Sequence, residues 1–325
     1  MFQVTILALE GINIGSIENP RRAFLSVNES LKAQQKPPLF KVQLAGFKTS
    51  VFIDNGLYTI HPDVLIKNVK KAGLIIIPAL SNDISKSIKD NQEVLPWLVN
   101  KYKTGSEIAS LCVGAFLLAA TGLLDGRECS THWRAENDFR RLFPKVNLVT
   151  HKIMTDEKGL YTSGGAFSSA NLILYLIEKY AGREMAVYCA KVFQVDMSRN
   201  TQSQFIIFQG QKSHEDECVK KAQLFIEKNY SEKISVDQLA SMAPLGRRSF
   251  ERRFKKATDN SAVEYMQRVK IEVAKKSLET SLVNVNQVMY EVGYNDPKSF
   301  RDTFRKITGL SPLQYRNKYY RDAQS

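Results

Sequence analysis

The sequence predicts an α/β domain with a parallel sheet, followed by a smaller all-α domain of two helix-turn-helix modules. Three observations predict it. Over about the first 195 residues, apolar runs of strand length alternate with stretches of helical periodicity, as in a parallel sheet covered by helices on both faces. Between Asp196 and Asp216 that alternation gives way to a stretch rich in Ser, Gln and Asn. Beyond it, one supersecondary pattern occurs twice.

Taken in order, residues 2–9 read as a buried strand, residues 40–45 as a second and residues 73–78 as a strongly apolar third. Helices are expected near residues 62–71 and 92–103. Residues 107–111 then read as a strand and 113–123 as a helix, with further helices near 133–142, 166–180 and 183–193. Residues 108–124 carry no charge, which is the lower edge of a membrane-spanning length. Ser110, Cys112, Gly114, Thr121 and Gly122 interrupt that run, so it reads as a buried strand turning into a helix. The expected division is a front domain at 1–195, a linker at 196–216 and a rear domain at 217–325. Within the linker, Phe205, Ile206, Ile207 and Phe208 are apolar enough to pack against one domain.

In the rear domain Ser249, Phe250, Phe254, Lys256, Thr258, Ser261 and Tyr265 recur fifty residues later as Ser299, Phe300, Phe304, Lys306, Thr308, Ser311 and Tyr315. Upstream the offset is forty-nine, pairing Val236, Gln238 and Ala243 with Val285, Gln287 and Val292, so one residue has been added in a turn. The first module spans about 235–257, a linking helix about 262–280 and the second module about 285–307. Ser235 is a good N-cap, Pro244, Leu245 and Gly246 break the first helix, and the second starts near Arg247. In the second module Gly293 is the breaker, and Asn295, Asp296 and Pro297 supply a cap and an N1 proline. Phe250 and Phe254 bury one side of their helix, as Phe300 and Phe304 do in the other copy. The outward sides carry Arg247, Arg248, Glu251, Arg252, Lys255 and Lys256, and then Lys298, Arg301, Asp302, Arg305 and Lys306. A basic face alone is an ordinary solvated surface. A scaffold repeated while its outward residues vary fits two helices inserted into DNA major grooves.

The run at 293–316, Gly-Tyr-Asn-Asp-Pro-Lys-Ser-Phe-Arg-Asp-Thr-Phe-Arg-Lys-Ile-Thr-Gly-Leu-Ser-Pro-Leu-Gln-Tyr-Arg, resembles the signature of the AraC/XylS family of bacterial transcriptional regulators. The resemblance extends back through Tyr265, Arg268 and Ala274 and covers roughly 217–320. It implies two recognition helices entering successive major grooves about 34 Å apart. Carried over by position, Arg248, Glu251 and Arg252 face bases in one half-site and Lys298, Arg301 and Asp302 in the other. Arg247, Lys255, Lys256, Arg305 and Lys306 fall to phosphate, and Arg253 is left without a role.

The formal charge of +13 fits a nucleic-acid partner but does not identify one. Basic residues exceed acidic ones by six from Ser213 onward and by seven before it, so clustering on the recognition helices matters more than the total. Residues 1–9 lack the basic start and the cleavage site of a secretory signal. Cys112, Cys129, Cys189 and Cys218 have neither paired nor metal-type spacing, so free thiols and a cytoplasmic location are expected, with no metal and no cofactor. His61, His151 and His214 form no metal constellation either.

Cys112 stands where a strand turns directly into a helix, with Gly114 permitting the turn and His132 twenty residues on. At a helix N-terminus the dipole and free N–H groups favour a thiolate or a bound anion. The segments Cys-Val-Gly-Ala-Phe at 112–116, Gly-Leu-Leu-Asp-Gly-Arg at 122–127 and Thr-His-Trp at 131–133 resemble the PfpI-like branch of the class I glutamine amidotransferase-like superfamily. That resemblance implies a flavodoxin-like sandwich over roughly 1–195 and a nucleophile-elbow cysteine. Fusion of such a domain to an AraC-type domain is a recognised arrangement among regulators.

The sequence departs from the hydrolytic pattern in three places. Val113 stands where hydrolytic relatives carry a histidine, and Ser16 where other branches carry a carboxylate, with Glu10 and Glu18 nearby but off the site. The loop Pro78, Ala79, Leu80 and Ser81 replaces a glycine-rich one. Cys112 is thus open to three readings: a buried structural thiol, a ligand pocket with Val113, His132, Ser16 and Ala79, or a nucleophile paired with His132. Tyr58, Trp133 and Phe167 are further candidates for a pocket lining. The expectation is a regulator, not an enzyme, that binds double-stranded promoter DNA, contacts RNA polymerase, forms a homodimer and answers to a small-molecule effector. Activation is the output that the resemblance implies, with repression as the alternative. The competing reading is a cysteine-dependent hydrolase or deglycase-like enzyme with an accessory DNA-binding tail.

Overall fold

The computed structural model describes residues 1–53, 56–80, 83–212, 214–243 and 245–320. Ser81 and Pro244, both used in the sequence reading, lie outside the described residues. The chain forms two compact units, Met1–Gln202 and Ser203–Ser325.

The first unit is built on a seven-stranded sheet. In chain order its strands and helices begin with β1 (Phe2–Ala8), α1 (Gly15–Ala33), β2 (Phe40–Gly46), the hairpin β3 (Val51–Ile53) and β4 (Tyr58–Ile60), and β5 (Val64–Leu65). They continue with β6 (Leu74–Ile77), α2 (Ile84–Asp90), α3 (Val94–Lys103), β7 (Glu107–Ser110) and α4 (Ala115–Ala120). Last come β8 (Glu128–Cys129), α5 (Glu136–Leu142), β9 (Asn147–Leu148), β10 (Met154–Asp156), β11 (Leu160–Ser163), α6 (Ser169–Ala181) and α7 (Arg183–Phe193). The sheet order is β10-β11-β7-β6-β1-β2-β5, parallel except for β10 against β11. β6 and β11 are buried at every position, as strands covered on both faces must be. The expected α/β parallel-sheet architecture is the one observed.

Several local features differ from the sequence reading. The helix expected at 62–71 is instead the edge strand β5, followed by a single 3-10 turn at Ile66–Asn68. The open edge of β2 supplies ladder partners for Val64 and Leu65, and the Asp63 carboxylate accepts the Leu44 N–H at 2.7 Å. The 19-residue α1 went unread because Pro20 and a polar outer face break its pattern, yet it buries Ile17, Ala23, Phe24 and Val27. The helices expected from 113, 133 and 166 are shorter than read, each preceded by a 3-10 turn at Cys112–Gly114, Trp133–Ala135 and Ala166–Ser168.

The second unit holds α8 (Glu217–Lys228), α9 (Val236–Ser241), α10 (Arg247–Thr258), α11 (Ala262–Thr280), α12 (Val285–Glu291), α13 (Pro297–Thr308) and α14 (Pro312–Tyr319). The duplication reaches individual hydrogen bonds. Thr258 and Thr308 each donate to the carbonyl four residues back, Phe254 and Phe304. Ser261 with Glu264, and Ser311 with Gln314, form matching capping boxes. The Tyr265 hydroxyl donates to Glu227 on α8 at 2.7 Å, and the Tyr315 hydroxyl to Glu279 on α11 at 2.6 Å. The linking helix therefore supports the second module as α8 supports the first.

The expected linker at 196–216 is not a free tether. Thr201 bridges Lys152 in the first unit, while residues from Ser203 to Lys212 are bonded within the second. Gln202, Ser203 and Gln204 are buried, and the Gln202 amide is hydrogen-bonded at both ends to partners that composition alone does not reveal.

Gly293 closes α12 at φ +73°, and a Cβ there would stand 2.0 Å from the Ser231 carbonyl oxygen. Gly293→Ala should destabilise the second unit by at least about 2 kcal/mol, from left-handed strain plus a backbone clash. A denaturant midpoint for the helical unit equal to that of the native protein would refute this account.

Candidate functional site

The charged residues assigned to DNA share one property: all eleven, on α10 and α13, are exposed, while Phe250, Phe254, Phe300 and Phe304 lie fully buried behind them. Helical spacing produces this split without any tertiary help. The start of α13 is fixed by Asp296, whose carboxylate accepts the Ser299 N–H at 2.6 Å, with Pro297 at N1. α10 starts at Gly246 without a side-chain cap. Arg247 is held by Asp237 at 3.1 Å and Glu251 at 3.5 Å, and Arg301 donates its Nε–H to the Pro297 carbonyl. Arg253, left without a role by the sequence, makes a bidentate pair with Asp216 at 2.8 and 2.9 Å. That pairing lowers the Asp216 pKa below the usual carboxylate range and ties α10 to the start of α8, so Arg253 is a structural residue.

A second site lies in the first unit. A cleft of about 750 Å³ opens where β1, β6 and β7 end and where α1, α5 and α6 begin, the usual ligand position in an open parallel sheet. Cys112, Val113, His132, Ser16 and Ala79 all line it, joined by Asn13, Asn19, Arg134, Asp138, Ala166 and Phe167. Phe167 reaches the lining as expected, whereas Tyr58 and Trp133 are not among the lining residues. Asn13 and Asn19 escaped the sequence reading because α1 did. Cys112 is in the left-handed region at φ +54°, and Gly114 packs so tightly that a Cβ would stand 2.4 Å from the Pro78 carbonyl oxygen. Ala166 is also strained, at φ +29°. Two strained positions facing one cleft mark it as the site of interest in this unit.

The helix-turn-helix domain model matches residues 239–318, and the DJ-1/PfpI family model matches residues 32–179. The HTH-type transcriptional regulator GbdR of Pseudomonas aeruginosa is 26% identical over 267 residues, covering 82% of this chain and 71% of that protein. CdhR of the same organism, also an HTH-type transcriptional regulator, is 25% identical over 268 residues, covering 82% and 78%. The chain thus carries a DJ-1/PfpI domain followed by a helix-turn-helix domain, and over most of its length it is similar to HTH-type transcriptional regulators. Solved structures agree on the front fold. An AraC family transcriptional regulator from Pseudomonas putida superposes with a TM-score of 0.50 at 18% identity, covering 59% of this chain and all of that one. A ThiJ/PfpI family protein from Pseudomonas syringae gives 0.50 at 18% identity, covering 60% and 75%.

In this chain the elbow cysteine is buried, which opposes an activated nucleophile. Burial pushes the Cys112 thiol above its ordinary range, against the opposing pull of the Ala166 and Val113 backbone groups. The thiolate expected at this turn is therefore disfavoured: desolvation outweighs the local dipoles. Burial, aided by the charge of Arg134, lowers the His132 pKa. His132 Nδ1 accepts the Arg134 N–H at 3.1 Å, which engages one ring nitrogen and favours the neutral tautomer with its proton on Nε2. Ser16 accepts the Ala79 N–H at 3.0 Å and donates to the Asn13 carbonyl, so Ala79 offers no free oxyanion donor. Glu10 pairs with Lys48 and Glu18 with Arg21. Among the described residues no group of three or more His, Cys, Asp or Glu could hold a metal, and no helix is long and apolar enough to cross a membrane.

With a raised pKa, Cys112 stays protonated at neutral pH and ionises only at higher pH. Iodoacetamide should alkylate it at pH 7 at least about tenfold more slowly than a free cysteine peptide, with the rate still climbing above about pH 9. A rate at pH 7 matching or exceeding the peptide's would mean an activated thiolate.

Proposed function

We propose that this DNA-binding transcriptional regulator recognises two half-sites in promoter DNA, one through α10 and one through α13, under control of a small molecule bound in the front cleft. The observation that carries the reading is the duplicated buried scaffold, identical in its aromatic and threonine positions, behind two recognition faces that differ. Arg248, Glu251 and Arg252 read bases in one half-site and Lys298, Arg301 and Asp302 in the other, with arginine suited to guanine and carboxylates to cytosine amino groups. Arg247, Lys255, Lys256, Arg305 and Lys306 contact phosphate. Homodimerisation, contact with RNA polymerase, activation as the output and a cytoplasmic location complete the proposal by resemblance to the family.

The enzyme reading keeps one supporting observation, the strained elbow at Cys112. Against it stand the raised thiol pKa and the tautomer of His132. A pocket that retains the elbow geometry and uses it for binding accounts for both.

Selection of genomic fragments by the full-length protein at two salt concentrations tests the reading. Recurrent sites with half-sites about one helical turn apart are expected to survive the higher salt. Arg252→Ala and Arg301→Ala should each reduce the preference for such a site about 10- to 100-fold, and relax selectivity in one half only. Lys255→Ala should weaken all sequences alike and lower the salt slope by about one. Fragments recovered without preference, or arginine variants that keep full selectivity, would refute the assignment.

A further inference from the structure

The wall of the cleft and the surface of the DNA-reading unit are held by consecutive residues. Gln202 is 1% exposed and belongs to the first unit. Its Nε2 donates to the Thr131 carbonyl at 2.9 Å and to the Lys152 carbonyl at 3.3 Å, and its Oε1 accepts the Gly165 N–H at 3.2 Å. A Cβ on Gly164 would stand 2.7 Å from that oxygen, so the amide lies directly on the glycine backbone. One side chain thus clamps together the two segments that present His132 and Ala166 to the cleft. Thr131 extends the clamp by donating its hydroxyl to the Cys112 carbonyl at 3.0 Å.

The next residue opens a different structure. Ser203–Phe205 is a 3-10 turn of the second unit packed against the recognition helix α13. From there the chain runs as a strap over both modules. The Lys275 ammonium, 3% exposed, bonds the Ile206 carbonyl at 2.6 Å, and Glu272 accepts the Phe208 N–H at 3.0 Å. Phe208 then stacks edge-on against Tyr265 of the first module at 5.1 Å, and Lys212 pairs with Glu227 at 2.7 Å. No residue of slack separates Gln202 from this strap.

We infer that Gln202 is a positioning residue that couples the cleft to the recognition helices through the strap at 203–212. The inference rests on the proposed function, in that it assumes both a responsive cleft and selective DNA binding. A molecule that reshapes the Gly164–Ala166 backbone displaces the amide clamped to it, and the covalent junction delivers that displacement to the turn against α13. The glutamine amide suits this role because it donates and accepts at once, and neither glutamate nor an aliphatic residue reproduces both. Coupling of this kind is reciprocal, so DNA bound to the second unit must alter the cleft even when no effector is known.

The test uses the full chain and a fragment recovered by the genomic selection. Hydrogen exchange at residues 164–169 is measured with and without that fragment, alongside an unrelated fragment of equal length. In the native protein the selected fragment should change exchange there about fivefold or more. Inserting Gly-Ser-Gly-Ser between Gln202 and Ser203 leaves both sets of contacts in place and should abolish the change while selective DNA binding persists. Gln202→Ala, which frees the clamp without altering chain length, should do the same. An unchanged cleft in the native protein, or a response that survives the insertion, overturns the coupling. If the two fragments bind equally well, the regulator reading itself has failed, and the coupling with it.

Discussion

What is buried behind α10 and α13 decides what their exposed sides can do. Phe250 and Phe254 in one module, and Phe300 and Phe304 in the other, are enclosed; the two rings of each pair meet at a tilt, and Phe254 and Phe304 meet Tyr265 and Tyr315 edge-on. Burying one such side chain is worth about 2–3 kcal/mol, and the aromatic geometry adds about 1 kcal/mol per pair. An exposed helix ion pair such as Arg247 with Glu251 contributes under about 1 kcal/mol. The aromatic side therefore fixes each helix, and the charged side is left free to diverge. Burial and the adjacent carboxylates push the pKa values of Tyr265 and Tyr315 well up, so both remain donors to Glu227 and Glu279 across the physiological range.

The front unit depends on a comparable constraint at one peptide. Gly114 passes the Pro78 and Ile77 carbonyls too closely for any side chain, and two residues before it Cys112 holds a left-handed conformation just after β7. The surroundings of this elbow limit what it can do. Ser16, Ala79 and His132 have each placed their polar atoms in local hydrogen bonds, and the thiol is desolvated. The nucleophile-elbow geometry is therefore present with its thiol desolvated and with Ser16, Ala79 and one nitrogen of His132 already engaged locally.

The parts of this molecule that were legible in the sequence are those whose burial follows a period. β6 is a continuous apolar run, β1 and β7 are mostly buried around a few polar positions, and the duplicated modules repeat both spacing and turn residues. α1 was hidden because Pro20 and a polar face obscure a stripe of four apolar residues and the proline, and β5 because its fate is set by the open edge of β2. The lining of the cleft was half visible: Cys112 and His132 through motif resemblance, but not Asn13 or Asn19, whose positions follow from a helix that was missed. The choice among the three readings of Cys112 is not legible from sequence, because a dipole argument reads local residues, whereas desolvation depends on residues far along the chain. Gln202 was least legible, since a buried glutamine in a polar stretch looks like linker until its three partners are known.

That last feature bears on how such proteins are recombined. Families of this architecture invite domain exchange, and composition places the natural splice in the polar stretch before α8. A splice there would carry the Phe208 and Lys212 contacts away with the donor's front half and leave Tyr265 and Glu227 facing a foreign strap. The seam that respects both hydrophobic cores is a single peptide bond, between Gln202 and Ser203. A hybrid cut at that bond keeps every strap contact with the helical unit that makes it.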